Sequence, residues 1–214
     1  MAAPGSTNGL RSETFDNLQL NAGIFIKNLA YSGTGAPTDA TSLKTLITGI
    51  KNGTVTGKGD ILGATRGGGT FTVTREMRTP EIDGIRYNFK GGNFVDSVDA
   101  YLSTTLVEVT EANICDILAA KKDSSASSTN INVYKMGTAI DDDAYLDNLC
   151  WIGDLADGRF VMIVLKNAIN TADFTLTVAD KNEGTLAVEF HATQDEVDDY
   201  DYAPFEIVYF EKAS

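Results

Sequence analysis

A single histidine, two cysteines and two runs of carboxylates are the residues of this 214-residue chain whose types could do chemistry. His191 falls on the polar side of an alternating segment. Catalysis through it would need a nucleophile and an orienting acid beside it, and nothing in the sequence nominates them. There is no Gly-x-Ser-x-Gly elbow and no Gly-x-x-x-x-Gly-Lys-Ser/Thr loop. The nearest approach, Gly63-Ala-Thr-Arg-Gly-Gly-Gly69, is followed by strand signals and lacks the helix that a phosphate cradle requires. One histidine with Cys115 and Cys150 far apart does not make a standard zinc site, and the two cysteines read as buried thiols. Asp141-Asp142-Asp143 and the acids between Asp195 and Asp201 have the ligand type for Ca²⁺ but not the EF-hand order. Acid runs without ligand spacing face water. The expectation is a protein that is not an enzyme, with no metal and no cofactor.

The elements that would position these residues are mostly strands. Phe71, Val73, Arg75 and Met77 alternate with Thr70, Thr72, Thr74 and Glu76, which predicts a half-buried strand after Gly67-Gly68-Gly69. Asn93 to Val109 reads as a longer strand whose wandering apolar phase suggests a bulge. Arg159 to Lys166 is apolar on both faces and predicts a central strand covered twice. Phe174, Leu176 and Val178, then a turn at Asp180–Gly184, then Leu186, Val188, Phe190 and Ala192, predict a two-faced hairpin. Further strands are expected at about Asn17–Ile26 and at Phe205–Phe210. One helix is expected: Thr110 caps it, Ile114, Ile117 and Leu118 form its stripe, and Lys121 and Lys122 sit in its last turn. Residues 31–69 lack a clear element and read as a long loop with an apolar patch at Leu43, Leu46, Ile47 and Ile50. Residues 123–148 read as a variable loop and residues 1–12 as a flexible arm.

The charge is uneven. Of 30 acids and 17 bases, residues 1–140 hold 13 of each, so the whole excess of −13 lies in residues 141–214. Such a surface repels phosphate backbones and anionic membranes, which argues against ordinary nucleic-acid or membrane binding. The composition is that of a folded globular protein, expected to be one domain over 1–214. Met1–Gly9 lacks the basic and apolar parts of a signal peptide, so cytoplasmic synthesis is expected.

Three stretches point further. They are Gly67-Gly-Gly-Thr-Phe-Thr-Val-Thr-Arg-Glu-Met-Arg-Thr-Pro-Glu-Ile-Asp-Gly84 with Lys90-Gly-Gly92; Ser103-Thr-Thr-Leu-Val-Glu-Val-Thr110; and Trp151 to Asn167 with Ala179 to Ala192 and Pro204 to Phe210. In their order and spacing the chain resembles the tail tube (major tail) proteins of long-tailed bacteriophages, over residues 13–120 and 149–211. Ser124 to Asn148 departs from that pattern.

The resemblance implies a β-sandwich or barrel with one flanking helix and a long loop. It also implies hexameric rings that stack into a tube, their strands joining in a continuous barrel around a lumen through which DNA passes. The partners it implies are further copies of the chain, a tape-measure protein, a tail terminator and distal tail or baseplate proteins. The location it implies is the virion tail, assembled in the bacterial cytoplasm. On this reading the acidic face bearing Asp173, Glu183 and Glu189 turns to the lumen; the alternation fixes which side chains share a face but not where the face points, and bulk solvent is the other option. Leu43, Leu46, Ile47 and Ile50 are then the expected contacts between stacked rings. The competing function is an acidic β-sandwich binding or virion decoration module using Trp151, Tyr200 and Tyr202.

Overall fold

The computed structural model describes residues 9, 11–84, 87, 89–195 and 201–213. The expected acidic loop from Asp195 to Ala203 lies partly outside these residues, and the N-terminal arm almost wholly. In chain order the elements are β1 (Ile24–Lys27), α1 (Ala40–Lys51), β2 (Asp60–Ile61), β3 (Thr65–Arg78), β4 (Phe94–Leu106), α2 (Glu111–Leu118), β5 (Ala120–Lys122), β6 (Tyr134–Met136), a 3₁₀ turn (Asp142–Ala144), β7 (Leu146–Asp154), β8 (Phe160–Asn170), β9 (Leu176–Thr177), β10 (Thr185–His191) and β11 (Phe205–Phe210). The protein is mainly β, and its strand pairings are antiparallel.

The strands form two packed layers. A central sheet runs β2-β1-β7-β8-β11, and an outer sheet runs β9-β10-β4-β3. They join where the end of β8 pairs with the end of β10, Asn170 opposite Phe190 and Ile169 opposite His191. Between the layers lies one apolar cluster: Phe25, Leu149 and Leu165 from the central sheet meet Leu102, Val188 and Phe190 from the outer one. The other face of the central sheet carries Ile26, Cys150, Ile152, Met162 and Val164, and α1 covers it with Ala40 and Leu43. β8 therefore feeds both clusters, as its two-faced sequence requires. Its phase changes at Asn167, whose φ is 44°, so that Leu165 and Ala168 enter the same cluster.

The expected bulge is present on β4. Glu76 pairs with Ser97 and Met77 with Val95, leaving Asp96 as the extra residue. A second irregularity lies in β3 itself, where Gly67 (φ 80°) and Gly68 (φ 77°) bulge between the pairs Thr65–Leu106 and Gly69–Thr104. These values are in the left-handed region that glycine enters freely. The Thr104 hydroxyl donates to the Gly68 carbonyl at 2.7 Å and fixes the bulge.

Several expectations need correction. Residues 31–69 are not a long loop. Asp39 caps α1, accepting from the Ser42 amide at 2.8 Å, with the Ser42 hydroxyl answering the Asp39 amide. Leu43, Leu46, Ile47 and Ile50 follow the helical i, i+3, i+4, i+7 spacing. Leu43 is fully buried and the other three pack partly buried on the second cluster. That patch packs within the chain, on the second cluster. The described residues form two α-helices, not one. α2 is capped by Thr110 as expected but stops at Leu118, because Ala119 turns left-handed (φ 48°) and cedes Lys121 and Lys122 to β5. Residues 123–148 are also not one loop, since β6, the 3₁₀ turn and the start of β7 fall there. The early strand is shorter, beginning at Ile24; among the described residues upstream of it, Gln19 bridges Leu155.

The excursion from Ala119 to Tyr145 is held by polar contacts. The Tyr134 hydroxyl donates to Glu111 at 2.7 Å, which pushes its pKa up to about 12. Lys135 pairs with Asp123, and Lys121 with Asp141 and Asp143.

Because α1 closes the second cluster, Leu43→Ala is expected to lower unfolding stability by about 2–5 kcal/mol, as for other buried leucines. Urea denaturation followed by circular dichroism checks this; a change within about 0.5 kcal/mol, typical of surface sites, would contradict the packing.

Candidate functional site

The outer sheet covers the central sheet on one side and leaves its own second face open. Register fixes what stands on that face: Thr70, Thr72, Thr74 and Glu76 from β3, Ser97, Asp99, Tyr101 and Ser103 from β4, and Ala187, Glu189 and His191 from β10. It is a surface of hydroxyls and carboxylates that also carries His191, with Arg78 next in the alternation of β3 and paired with Asp96, and Arg66 at the glycine bulge and paired with Glu183. β3 borders it as an edge strand, pairing with β4 on one side only.

Glu189 lies on this open face, as the alternation requires. Asp173 lies in the segment before β9, and Glu183 in the turn before β10, where it pairs with Arg66 at the glycine bulge. The first half of the expected hairpin is short, since β9 spans only Leu176–Thr177. The three acids thus lie along the β9–β10 hairpin and its flanks, with only Glu189 on a sheet face.

His191 is held there by two carboxylates and a ring. Its Nδ1 lies 2.7 Å from Asp99 Oδ1 and its Nε2 3.2 Å from Glu189 Oε1. The Tyr101 ring stacks on it at 4.8 Å between centroids. Partial burial works against the imidazolium, but the two carboxylates outweigh it and raise the His191 pKa above 6.5. Asp99 lies 92 residues away in sequence, so no local signal could have paired them. Among the described residues the ring's bonded partners are two carboxylates, an arrangement that differs from the hydroxyl–imidazole–carboxylate order of a triad. Cys150 is buried, which pushes its thiol pKa up; Cys115 is half-buried and is raised by burial and then by Asp116 and Glu111. Among the described residues no three His, Cys, Asp or Glu side chains converge as a metal site would need.

The second feature is the β3–β4 hairpin. Its base is packed on the core, but its distal half is exposed on both faces. One side there is polar: the Ser97 hydroxyl donates to Glu76 at 3.0 Å. Val73, Met77 and Val98 expose apolar surface, with Phe94 and Val95 beyond the bulge. Arg78 pairs with Asp96 and lies over Phe94.

A matching deficit exists on the central sheet. Phe71 of β3 meets Phe205 of β11 edge to face, at 5.6 Å between centroids. Next along β11, on the same side as Phe205, Ile207 and Tyr209 are 51% and 60% exposed. The outer sheet ends before it covers them. Trp151, on that side of β7, is partly buried, and its indole N–H donates to the Ala22 carbonyl at 2.9 Å. That is the role of an anchor and not of a free ligand-stacking ring. Tyr202 is exposed; Tyr200 lies outside the described residues.

In sequence comparison no family model matches the chain, and no curated protein matches it.

The distal hairpin has water on both faces, so its backbone bonds are the least protected of the long strands. Amide exchange by mass spectrometry on dilute protein is expected to be faster across Arg75–Arg78 and Phe94–Val98 than across Met162–Leu165. Equal protection of the two regions would mean that the hairpin is covered within one chain.

Proposed function

We propose that the chain is a structural assembly subunit, the tail tube protein of a long-tailed bacteriophage. Copies close into hexameric rings, stack into a tube and pass DNA through an acidic bore. The observation that carries this reading is the incomplete two-layer packing: a hairpin with bare apolar surface and an unpaired edge, beside a central sheet whose Ile207 and Tyr209 lack cover. A neighbouring copy supplies what each lacks. Edge pairing between copies satisfies the free backbone groups of β3, and closing the sheets into a common barrel removes the edges altogether.

The open face then lines the bore. Its hydroxyls and carboxylates dominate, and the arginines at its margins, Arg66 and Arg78, are each paired with an acid, which leaves a phosphate backbone little to grip. At physiological salt the screening length is about 8 Å, so the repulsion is felt only near the wall and acts as lubrication. The order and spacing of the three stretches in the sequence support the same assignment. Tape-measure, terminator and baseplate partners follow from it.

Negative-stain microscopy of concentrated protein is expected to show rings or tubes. Met77→Asp with Val95→Asp replaces two exposed apolar side chains, so the variant should fold with an unchanged melting temperature and form neither. A wild-type protein that stays monomeric at high concentration and binds glycans would favour the decoration-module reading instead.

A further inference from the structure

The open face contains a device that the assembly reading does not use. Both ring nitrogens of His191 lie within hydrogen-bond distance of carboxylates, Asp99 from β4 and Glu189 from β10. Ionised carboxylates only accept hydrogen bonds, whereas a neutral imidazole donates from one nitrogen alone. Both contacts can be made together only by the doubly protonated ring. Tyr101 stacking on its face suits a cation equally well. Among the described residues no other charge faces the ring from the packed strands: Thr72 and Thr74 of β3 stand beside Tyr101 and Asp99, and Ile169 of β8 stands opposite His191.

The place matters as much as the contacts. His191 ends β10 at the seam where the outer sheet is hydrogen-bonded to the central one, and that pairing is two residues long. Just beyond it Ala192 donates its amide to the Ala100 carbonyl of β4 at 2.9 Å, and Thr193 donates to the Lys166 carbonyl of β8 at 3.0 Å. We propose that Asp99, His191 and Glu189 form a protonation-controlled clamp that fastens β10 to β4 at this seam and loosens when the ring loses a proton. On deprotonation one nitrogen presents a lone pair to a carboxylate, and the face loses its positive charge there, becoming more negative by one.

The sign follows from linkage. A histidine whose pKa is raised in the folded state stabilises it fully below the unfolded value of 6.5, and that stabilisation is lost as pH rises through the folded value. The charge change also makes self-association weaker above that window. Only this last step rests on the assembly reading.

The chain has one histidine, so its ring resonances can be assigned without ambiguity. NMR titration of dilute protein upward from about pH 5 is expected to give a midpoint above 6.5, lowered in Asp99→Asn and in Glu189→Gln. The melting temperature of the wild type should fall across the same interval, while His191→Gln shows no such fall. A wild-type midpoint at or below 6.5, or one that neither carboxamide moves, overturns the clamp. If His191→Gln fails to fold, the wild-type titration still decides. Tube yield against pH, read beside these data, separates the two proposals: a clamp that titrates in a protein forming no tubes at any pH sinks the assembly reading and leaves the clamp standing.

Discussion

β8 carries apolar side chains on both faces, and that single constraint organises the molecule. A strand of this kind is stable only if both sides of its sheet are removed from water. α1 meets the demand on one side through Leu43 and Ala40, and the outer sheet meets it on the other through Leu102, Val188 and Phe190. The layers follow in order: helix, central sheet, outer sheet. The outermost sheet face is left to water, so polar alternation appears on β3, β4 and β10 and not on β8.

The coverage is unequal. Where β3 ends its contact at Phe205, the central sheet continues into Ile207 and Tyr209, while β3 and β4 continue past the core in another direction. Neither overhang is repaired within one chain. Burial of roughly 25 cal/mol per Å² of apolar surface gives such overhangs a standing tendency to associate. The charge pattern narrows the choice of associate, because a face of hydroxyls and acids whose bordering arginines are already paired with carboxylates is unsuited to holding nucleic acid.

Much of the fold was legible in the sequence where one period dominated. β11 was bounded to the residue, the two-faced run located β8, and the drifting phase of β4 announced the bulge at Asp96. α1 was missed although its signals were present, with Asp39 capping and an unbroken 43, 46, 47, 50 stripe. Thr41, Thr45, Thr48 and Gly49 are weak helix formers, and they made the segment read as loop when its helicity comes from packing on the sheet. α2 was overextended because lysines suit a last turn, yet Ala119 had already left the helix. Of the site, the alternation placed Glu189 and His191 on one face. It could not supply Asp99, nor the shortening of β9 that leaves Asp173 in a connection, since both depend on contacts between distant parts of the chain.

The excursion between α2 and β7 is attached differently from everything else. Lys135 on Asp123 and Lys121 on two aspartates close it on itself, Tyr134 ties it to Glu111 of α2, and none of its residues joins either buried cluster until Leu146. It is a module bolted on from outside. Selection can lengthen, shorten or replace it without repacking the interior, and a protein engineer can do the same: its tip near Asn130 is a natural port for displaying a foreign peptide.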